Sequence, residues 1–396
     1  MRFVYRAMCA VALAGCADVK TPVETKSPTL SPADPSGRTP PNPRQPIDSR
    51  TIGDRIEGLY NGHLSKVSIP ADGFSKFGDA VHPDIACPPG NWNNAPCWVM
   101  YTPYKNSDPS NENPAFLMVS SDTEWTTPPA VANPLIAYPG ITGYNSDPDH
   151  AFDPATRRMV QVYRVVADSF NKIMVMSTAD ARHWTTPVVA FTEHNHNAVS
   201  PALVIEPDRQ AKLWYVRAGA DGCNATSTSV EMRTALPEGN SGFEAAKWSA
   251  GTPVNLSIPG YVVWHLDVIE LPAGRGYLAM IAAYQKFSNC ANSDVWLATS
   301  RDGVNWQSYA VPIFWRTMRA AKTLGLSTWY RGTMRYDAAT DSLDLWPSGM
   351  SKLSWGVFHA TARLSDLLDL LNAAQPSDYR PPAFNRLETA IPIQMP

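Results

Sequence analysis

Three things are scarce in this chain of 396 residues. Beyond its first fifteen residues no run is long and apolar enough to span a bilayer, so the remainder is expected outside the membrane. Basic tracts are missing and the net charge is -3, which excludes an electrostatic reader of nucleic-acid phosphates. No two of the six cysteines stand as Cys-x-x-Cys, so a zinc site built from cysteines lacks its usual signature. Proline and tryptophan, by contrast, are plentiful at 36 and 13 residues. That balance favours many short strands and tight turns over long helices. With 44% hydrophobic and 10% aromatic residues the chain can bury a large core.

Arg2 and Arg6 precede a short apolar run, Ala7 to Ala12, and Leu13-Ala14-Gly15-Cys16 resembles the lipobox of bacterial lipoproteins. The resemblance implies a signal peptide over 1–15 and acylation of Cys16. Because Ala17 rather than Asp follows, it also implies an exported protein of the cell envelope, held at an outer membrane by its lipid; an ordinary cleaved signal peptide is the alternative. Residues 16–50 are rich in proline, serine and threonine with almost no large apolar side chain. They cannot offset their ordering entropy by burial and read as a tether, which leaves 51–396 as the folded domain. Cys9 leaves with the leader and Cys16 carries lipid, so Cys87, Cys97, Cys223 and Cys290 remain, an even number in an oxidising compartment. Cys87 and Cys97 bracket the turn PPGNWNNAP and can close a hairpin. Elimination then pairs Cys223 with Cys290.

Two kinds of repeat run through the domain. The turns SSDTEWTTP from Ser120, STADARHWTTP from Ser177 and TSRDGVNWQS from Thr299 resemble the Asp-box of sialidases and other propeller enzymes. In that motif the carboxylate caps a turn and the Trp packs between sheets, so Asp180 and Asp302 are expected to be structural. Upstream of such turns AVHPDIAC, NSDPDHAF, AVSPALVI, VWHLDVIE and TWYRGTMRY each open a strand, and each precedes a second strand rich in Trp or Tyr. Taking Asp84, Asp149, Pro201, Asp267 and Gly332 as equivalent gives five units of four short strands. The fold class is therefore all-β, a five-bladed β-propeller with a short C-terminal helix from Leu364, against the alternative of an irregular sandwich. Residues 51–81 are expected to supply a strand that closes the ring.

The innermost strand of every blade lines the central channel, so its polar residues converge there. Asp267 raises the question most sharply, since it interrupts the apolar run YVVWHLDVIEL, where an unpaired carboxylate is costly. The converging set is His82 and Asp84, then Asp147, Asp149 and His150, then Trp264, His265 and Asp267, then Tyr330 and Arg331. Crowded carboxylates raise one another's pKa, which lets one serve as acid while another is ionised, and two flanking a glycosidic bond are the minimum for its hydrolysis. His82, Asp147, His150, His265, Tyr330 and Arg331 can bind sugar hydroxyls or neutralise charge, and Trp264, Trp92 or Tyr104 can stack on a sugar face. On its own, each of these acids also has a plainer reading as a turn or backbone cap.

This pattern, over about residues 52 to 363, resembles the five-bladed propeller glycoside hydrolases of families 43, 32 and 130. The resemblance implies Asp84 as base or nucleophile and Asp149 as the orienting acid. A third-blade Glu should be the general acid, and here Ser200 and Pro201 stand in its place. Asp267 is the substitute, with Glu193 and Glu206 weaker candidates. No cofactor is expected, although relatives can hold a channel calcium, and the His194-Asn195-His196-Asn197 run lacks a nearby third metal ligand. The expected function is a lipid-anchored, monomeric glycoside hydrolase acting on a poly- or oligosaccharide with Asp84, Asp149 and Asp267. The alternatives are a glycan-binding lipoprotein that does not cut, favoured by the missing Glu, and an envelope docking platform.

Overall fold

The computed structural model describes residues 51–60, 64–70, 79–137, 139, 143–167, 170–239, 242–351 and 354–381. The expected leader over 1–15, lipidation at Cys16 and tether over 16–50 fall outside the described residues. Five four-stranded antiparallel sheets form the blades. Their innermost strands are Ala80–Ala86, Gly143–Asp153, Val199–Ile205, Tyr261–Leu271 and Thr328–Asp337. These are the five strand openings read from the sequence, and each continues outward through hairpins as a meander.

Closure comes from the N-terminal side. The short strand Ser65–Lys66 becomes the outer strand of blade 5 by pairing with Ser354–Arg363. Val67 N–H then donates to Val357 O at 2.8 Å, while Ser68 N–H donates to Thr123 O at 2.8 Å and Ser68 O accepts from Trp125 N–H at 3.0 Å. Four successive residues thus satisfy the edge of the last blade and continue onto the first, which removes the exposed edge that an open ring would leave.

Between adjacent blades the alternating inward residues of two sheets meet, and the buried apolar side chains fall into five clusters, the one between blades 3 and 4 reaching on to Val81 and Tyr104 of blade 1 and Tyr330, Met350 and Trp355 of blade 5. Tryptophans fill these wedges: Trp98, Trp125, Trp214, Trp296, Trp329, Trp346 and Trp355 are all fully buried. The C-terminal helix Leu364–Ala373 buries Leu364, Leu367, Leu370 and Leu371, a helical spacing, against the blade 4–blade 5 wedge. Two helices were not anticipated. Ile52–Leu59 starts from a capping box in which Thr51 and Asp54 satisfy each other's backbone amides, a signal hidden by a short, weakly apolar segment. Arg319–Leu324 has no capping side chain at its start and ends at Gly325, whose φ of 67° is left-handed.

Both expected disulfides are formed, Cys87–Cys97 across its hairpin and Cys223–Cys290 between neighbouring blades. The Asp-box turns behave as expected in two copies. Asp302 Oδ1 accepts from the amides of Val304 and Asn305 at 2.8 and 2.7 Å, and Asp180 Oδ1 from those of Arg182 and His183 at 2.9 and 2.8 Å. In the first copy Asp122 instead receives Arg335 at 3.3 Å.

Trp214 illustrates the wedges. It is fully buried between blades 3 and 4, donates its indole N–H to Gly303 O at 2.7 Å and meets Trp306 edge-on. Trp214→Ala is expected to cost ~3–5 kcal/mol, read as a lowered urea midpoint; a loss below about 1 kcal/mol would show that the wedge does not carry the stability assigned to it.

Candidate active site

Each innermost strand carries one β-bulge close to its start. In blades 1, 2 and 3 the bulge is a residue in the left-handed region followed by proline: His82 (φ 52°), Asp147 (φ 51°) and Ser200 (φ 53°). Residues other than glycine seldom adopt this conformation, and here it comes with a break in the pairing that re-aims the side chain. The equivalent residues in blades 4 and 5 are His265 and Arg331, placed by the bonds between blades that follow. Two positions further on stand Asp84, Asp149, Ala202, Asp267 and Thr333. The structure therefore moves two of the equivalences, from Pro201 to Ala202 and from Gly332 to Thr333, because a bulge shifts register in a way that spacing alone does not reveal.

The inner set is a circuit of hydrogen bonds from blade to blade. Asp84 Oδ2 accepts the His150 amide at 2.7 Å and Asp149 Oδ1 the Leu203 amide at 2.8 Å. Ser200 Oγ accepts the Leu266 amide at 3.0 Å and donates to Leu266 O at 2.9 Å. Asp267 takes the Thr333 side chain and the Met334 amide. Thr333 Oγ1 accepts the Ile85 amide at 3.2 Å and lies 3.3 Å from Asp84 Oδ1, which completes the ring. Arg331, with no side-chain exposure, reaches across to Asp149 Oδ2 at 2.7 Å and to Pro201 O at 3.1 Å. The His150 ring bonds Asp84. One oxygen from each of Asp84, Asp149 and Asp267 lies within 4.8 Å of the others. Burial, and after it the Asp84 charge, pushes Asp267 up to about 8. The same two causes raise Asp149 well above the carboxylate range despite Arg331.

A second group sits one step nearer the start of the strands. His82 Nε2 lies 3.3 Å from Asp147 Oδ1, and His265 Nδ1 lies 3.8 Å from the same oxygen. Asp147 Oδ2 is occupied by Arg164 at 3.0 Å and the Ser200 amide at 3.1 Å. His82 Nδ1 faces Thr102 Oγ1 at 2.9 Å and Glu112 Oε2 at 3.4 Å. Arg164 also donates to the Tyr144 hydroxyl at 2.6 Å. Tyr330 packs on His265 at 4.4 Å between ring centres and accepts from the Trp264 indole at 2.7 Å. Burial opposes ionisation of Asp147, yet the surrounding His82, Arg164, His265 and Arg331 hold its carboxyl far below the usual range. Burial drives His265 well down, so it is neutral at neutral pH, and raises Glu112.

The structure thus brings Asp84, Asp149 and Asp267 together, with His150 and Arg331 folded onto them rather than lining a mouth. His82, Asp147, Trp264, His265 and Tyr330 form the neighbouring group. Tyr104 is buried at that same end against Trp355. Trp92 is not available for stacking. It sits in the hairpin after Ala86, at the opposite end of the blade, buried and donating to Arg157 O at 3.0 Å. Glu206 is also at the far end of its strand and pairs with Lys212 at 2.9 Å, while Glu193 pairs with Arg233 at 2.6 Å. His194 packs on Phe170 and His196 is partly buried; neither joins a metal-type group among the described residues. Arg164, Tyr144, Glu112, Thr102 and Thr333 were not anticipated. Arg164 carried a readable signal, a cation inside the apolar strand MVQVYRVV, as anomalous as Asp267 in its own strand.

The fold is a five-bladed β-propeller. No protein-family model matches the chain. A curated relative, an A type blood N-acetyl-α-D-galactosamine deacetylase of Flavonifractor plautii, is 24% identical over 263 residues, spanning 57% of this chain but only 34% of the relative. Among solved structures, the N-acetylgalactosamine deacetylase from F. plautii in complex with blood group B trisaccharide overlays with a TM-score of 0.67 at 19% identity, covering 78% of this chain and 97% of that one. The Penicillium chrysogenum α-L-arabinanase complexed with arabinobiose overlays at 0.50 with 13% identity, covering 76% of this chain and 98% of that one. A GH62 hydrolase in complex with xylotriose also reaches 0.50, at 12% identity, covering 75% and 95%. These likenesses establish the fold.

The Asp267 environment sets a pH dependence of stability. Its folded pKa of about 8 lies above the ordinary aspartate value of 3.8, so the folded state keeps a proton that the unfolded chain releases. Its contribution is fully present below the unfolded value and is lost progressively up to about 8. Asp267→Asn removes that loss, and its melting temperature relative to wild type is expected to climb across this window and level off above it. A difference independent of pH would rule out a protonated Asp267 in the fold.

Proposed function

We propose that the protein is a carbohydrate-active hydrolase whose reacting centre is the His82, Asp147 and His265 group, and that it removes the acetyl group from an N-acetylated amino sugar. One observation carries this function. His82 Nε2, Asp147 Oδ1 and both ring nitrogens of His265 are buried without hydrogen-bond partners, and one atom from each residue lies within 4.8 Å of the others. Each such atom costs about 1–3 kcal/mol if nothing satisfies it. Their gathering at one point, on strands bulged to aim them there, fits them to share a cation.

Two imidazoles and a carboxylate suit a divalent transition-metal ion such as zinc better than calcium, which prefers oxygen donors. The all-carboxylate group fits a cation less well, because the Arg331 guanidinium already pairs with Asp149. A metal held by His82, Asp147 and His265 would supply Lewis-acid polarisation of the acetyl carbonyl and an acidified water. The chain's own contributions are positional. Thr102 and Glu112 fix His82 through Nδ1 and leave Nε2 facing inward. Arg164 and the Ser200 amide hold Asp147 by one oxygen and leave the other free. His265, neutral through burial, keeps a lone pair for coordination. Glu112, its carboxyl raised by burial, backs the Nδ1 side of His82 and keeps that ring turned inward. The F. plautii deacetylase supports this function, overlaying at a TM-score of 0.67 where the arabinanase and the GH62 hydrolase reach 0.50.

Cleavage of a glycosidic bond is the second reading. It is favoured by Asp267, whose Oδ2 is unpartnered and whose carboxyl holds its proton up to about 8, as a general acid requires. Lipid anchoring at Cys16 and an outer-membrane address complete the proposal, supported by the leader and lipobox alone.

Both chemistries are separated by assaying the purified protein for acetate and for reducing ends on N-acetylhexosamine glycans. Deacetylation predicts acetate release that stops with a chelator and returns with zinc, and kcat/KM lowered by roughly a hundredfold or more in Asp147→Asn and His265→Ala. Reducing ends without acetate, abolished in Asp267→Asn, would establish glycosidic cleavage instead. Glycan binding with neither product would make the protein a non-catalytic binder.

A further inference from the structure

The loop between the second and third strands of blade 4 carries the most exposed large hydrophobic side chain among the described residues. Phe287 is 84% accessible, and its backbone is left-handed with φ 68°. A single exposed apolar residue is ordinary. A bulky aromatic held in the left-handed region is not.

The loop around it is tied down. Lys286 N–H donates to Gly260 O at 3.1 Å and Ser288 N–H to Gln285 O at 3.0 Å. Asn289 Oδ1 accepts from the Ala291 amide at 3.1 Å and from Asn292 Nδ2 at 3.0 Å. Cys290 is fully buried and bonded to Cys223 on the corresponding loop of blade 3. Phe287 is therefore displayed rather than free to fold back. Gln285 pairs with Tyr261 and Ala282 with His265, so the loop rises from the strand-start end of blade 4, the end that carries the candidate site. One contact joins the two regions: the Tyr330 hydroxyl donates to Cys290 Sγ at 3.7 Å, and the Tyr330 ring packs on His265. The blade 3 loop bonded to Cys290 exposes Asp221, Asn224, Thr226 and Ser227, so small polar groups and an exposed aromatic stand on two loops joined by one disulfide. That combination suits a sugar ring, whose C–H face stacks on an aromatic while its hydroxyls bond to amides, carboxylates and hydroxyls.

We propose that Phe287 is the platform of an outer saccharide subsite, on which a second or third sugar unit of an oligosaccharide stacks while the terminal unit enters the His82, Asp147 and His265 group. This rests on the glycan substrate proposed above. It adds that the substrate is an oligosaccharide of at least two or three units, and that the loop stapled by Cys223–Cys290 reads its length.

The test compares kcat/KM for an N-acetylhexosamine-terminated trisaccharide with that for the methyl glycoside of its terminal sugar. In Phe287→Ala the ratio is expected to fall roughly tenfold, the size of one aromatic stacking contact, and to do so through KM. Phe287→Trp should restore it, and matching melting temperatures exclude a folding defect. An unchanged ratio in Phe287→Ala overturns the subsite while leaving the hydrolase function standing. Should wild type turn over no glycan, that function fails separately. Calorimetric titration with the same trisaccharide then decides: binding about tenfold weaker in Phe287→Ala supports the subsite, and equal or undetectable binding overturns it.

Discussion

The structure depends on the circuit of hydrogen bonds around the propeller axis. A propeller places five strand edges where their backbone amides point at a neighbour too far away to form a sheet ladder, and a buried amide without an acceptor is costly. Here side chains supply the acceptors: Asp84 for blade 2, Asp149 for blade 3, Ser200 for blade 4, Asp267 for blade 5 and Thr333 for blade 1. The carboxylate in the middle of YVVWHLDVIEL thus has a structural answer. It satisfies an amide of the next blade, and its cost is limited because it keeps its proton.

Concentrating three carboxyls at one point creates a second constraint. They cannot all ionise, and one guanidinium, Arg331, offsets part of the charge from within the ring. The outer group follows a different logic. Asp147 is held ionised by its cationic surroundings, and its polar neighbours are left incompletely bonded. Adjacent layers of the same five strands therefore differ in charge, one crowding carboxyls that are raised and one holding a carboxyl that is lowered. The bonds between blades also explain how left-handed residues at 82, 147 and 200 are sustained, since they over-determine the backbone there.

Much of the fold was legible in the sequence. Second strands rich in Trp or Tyr, returning turns and polar strand openings pointed to five blades, and four cysteines, two of them bracketing one turn, pointed to both disulfides. Closure by a strand from residues 51–81 followed from the need to cover two edges. The helix Ile52–Leu59 was not legible, because one short amphipathic turn preceded by a capping box differs little from a loop. The convergence of Asp84, Asp149 and Asp267 was legible too. What each acid bonds to was not.

That last gap has a definite cause. In Asp147-Pro148-Asp149 two acids stand two residues apart on one strand, and both reach the axis. Asp149 meets the Leu203 amide and the Arg331 guanidinium, whereas Asp147 meets Arg164 on one side and two imidazoles on the other. Their pKa values are driven in opposite directions by these partners. Every partner that separates them, apart from Arg164 on the paired strand, comes from a different blade and from 50 or more residues away in sequence. A bulge of one residue decides which acid meets which partner, and although a proline follows it in blades 1, 2 and 3, blades 4 and 5 carry it with none. The chemistry of this axis is thus a property of register between blades, and a residue type alone, even a carboxylate in an apolar strand, marks only that one of the two roles is being filled.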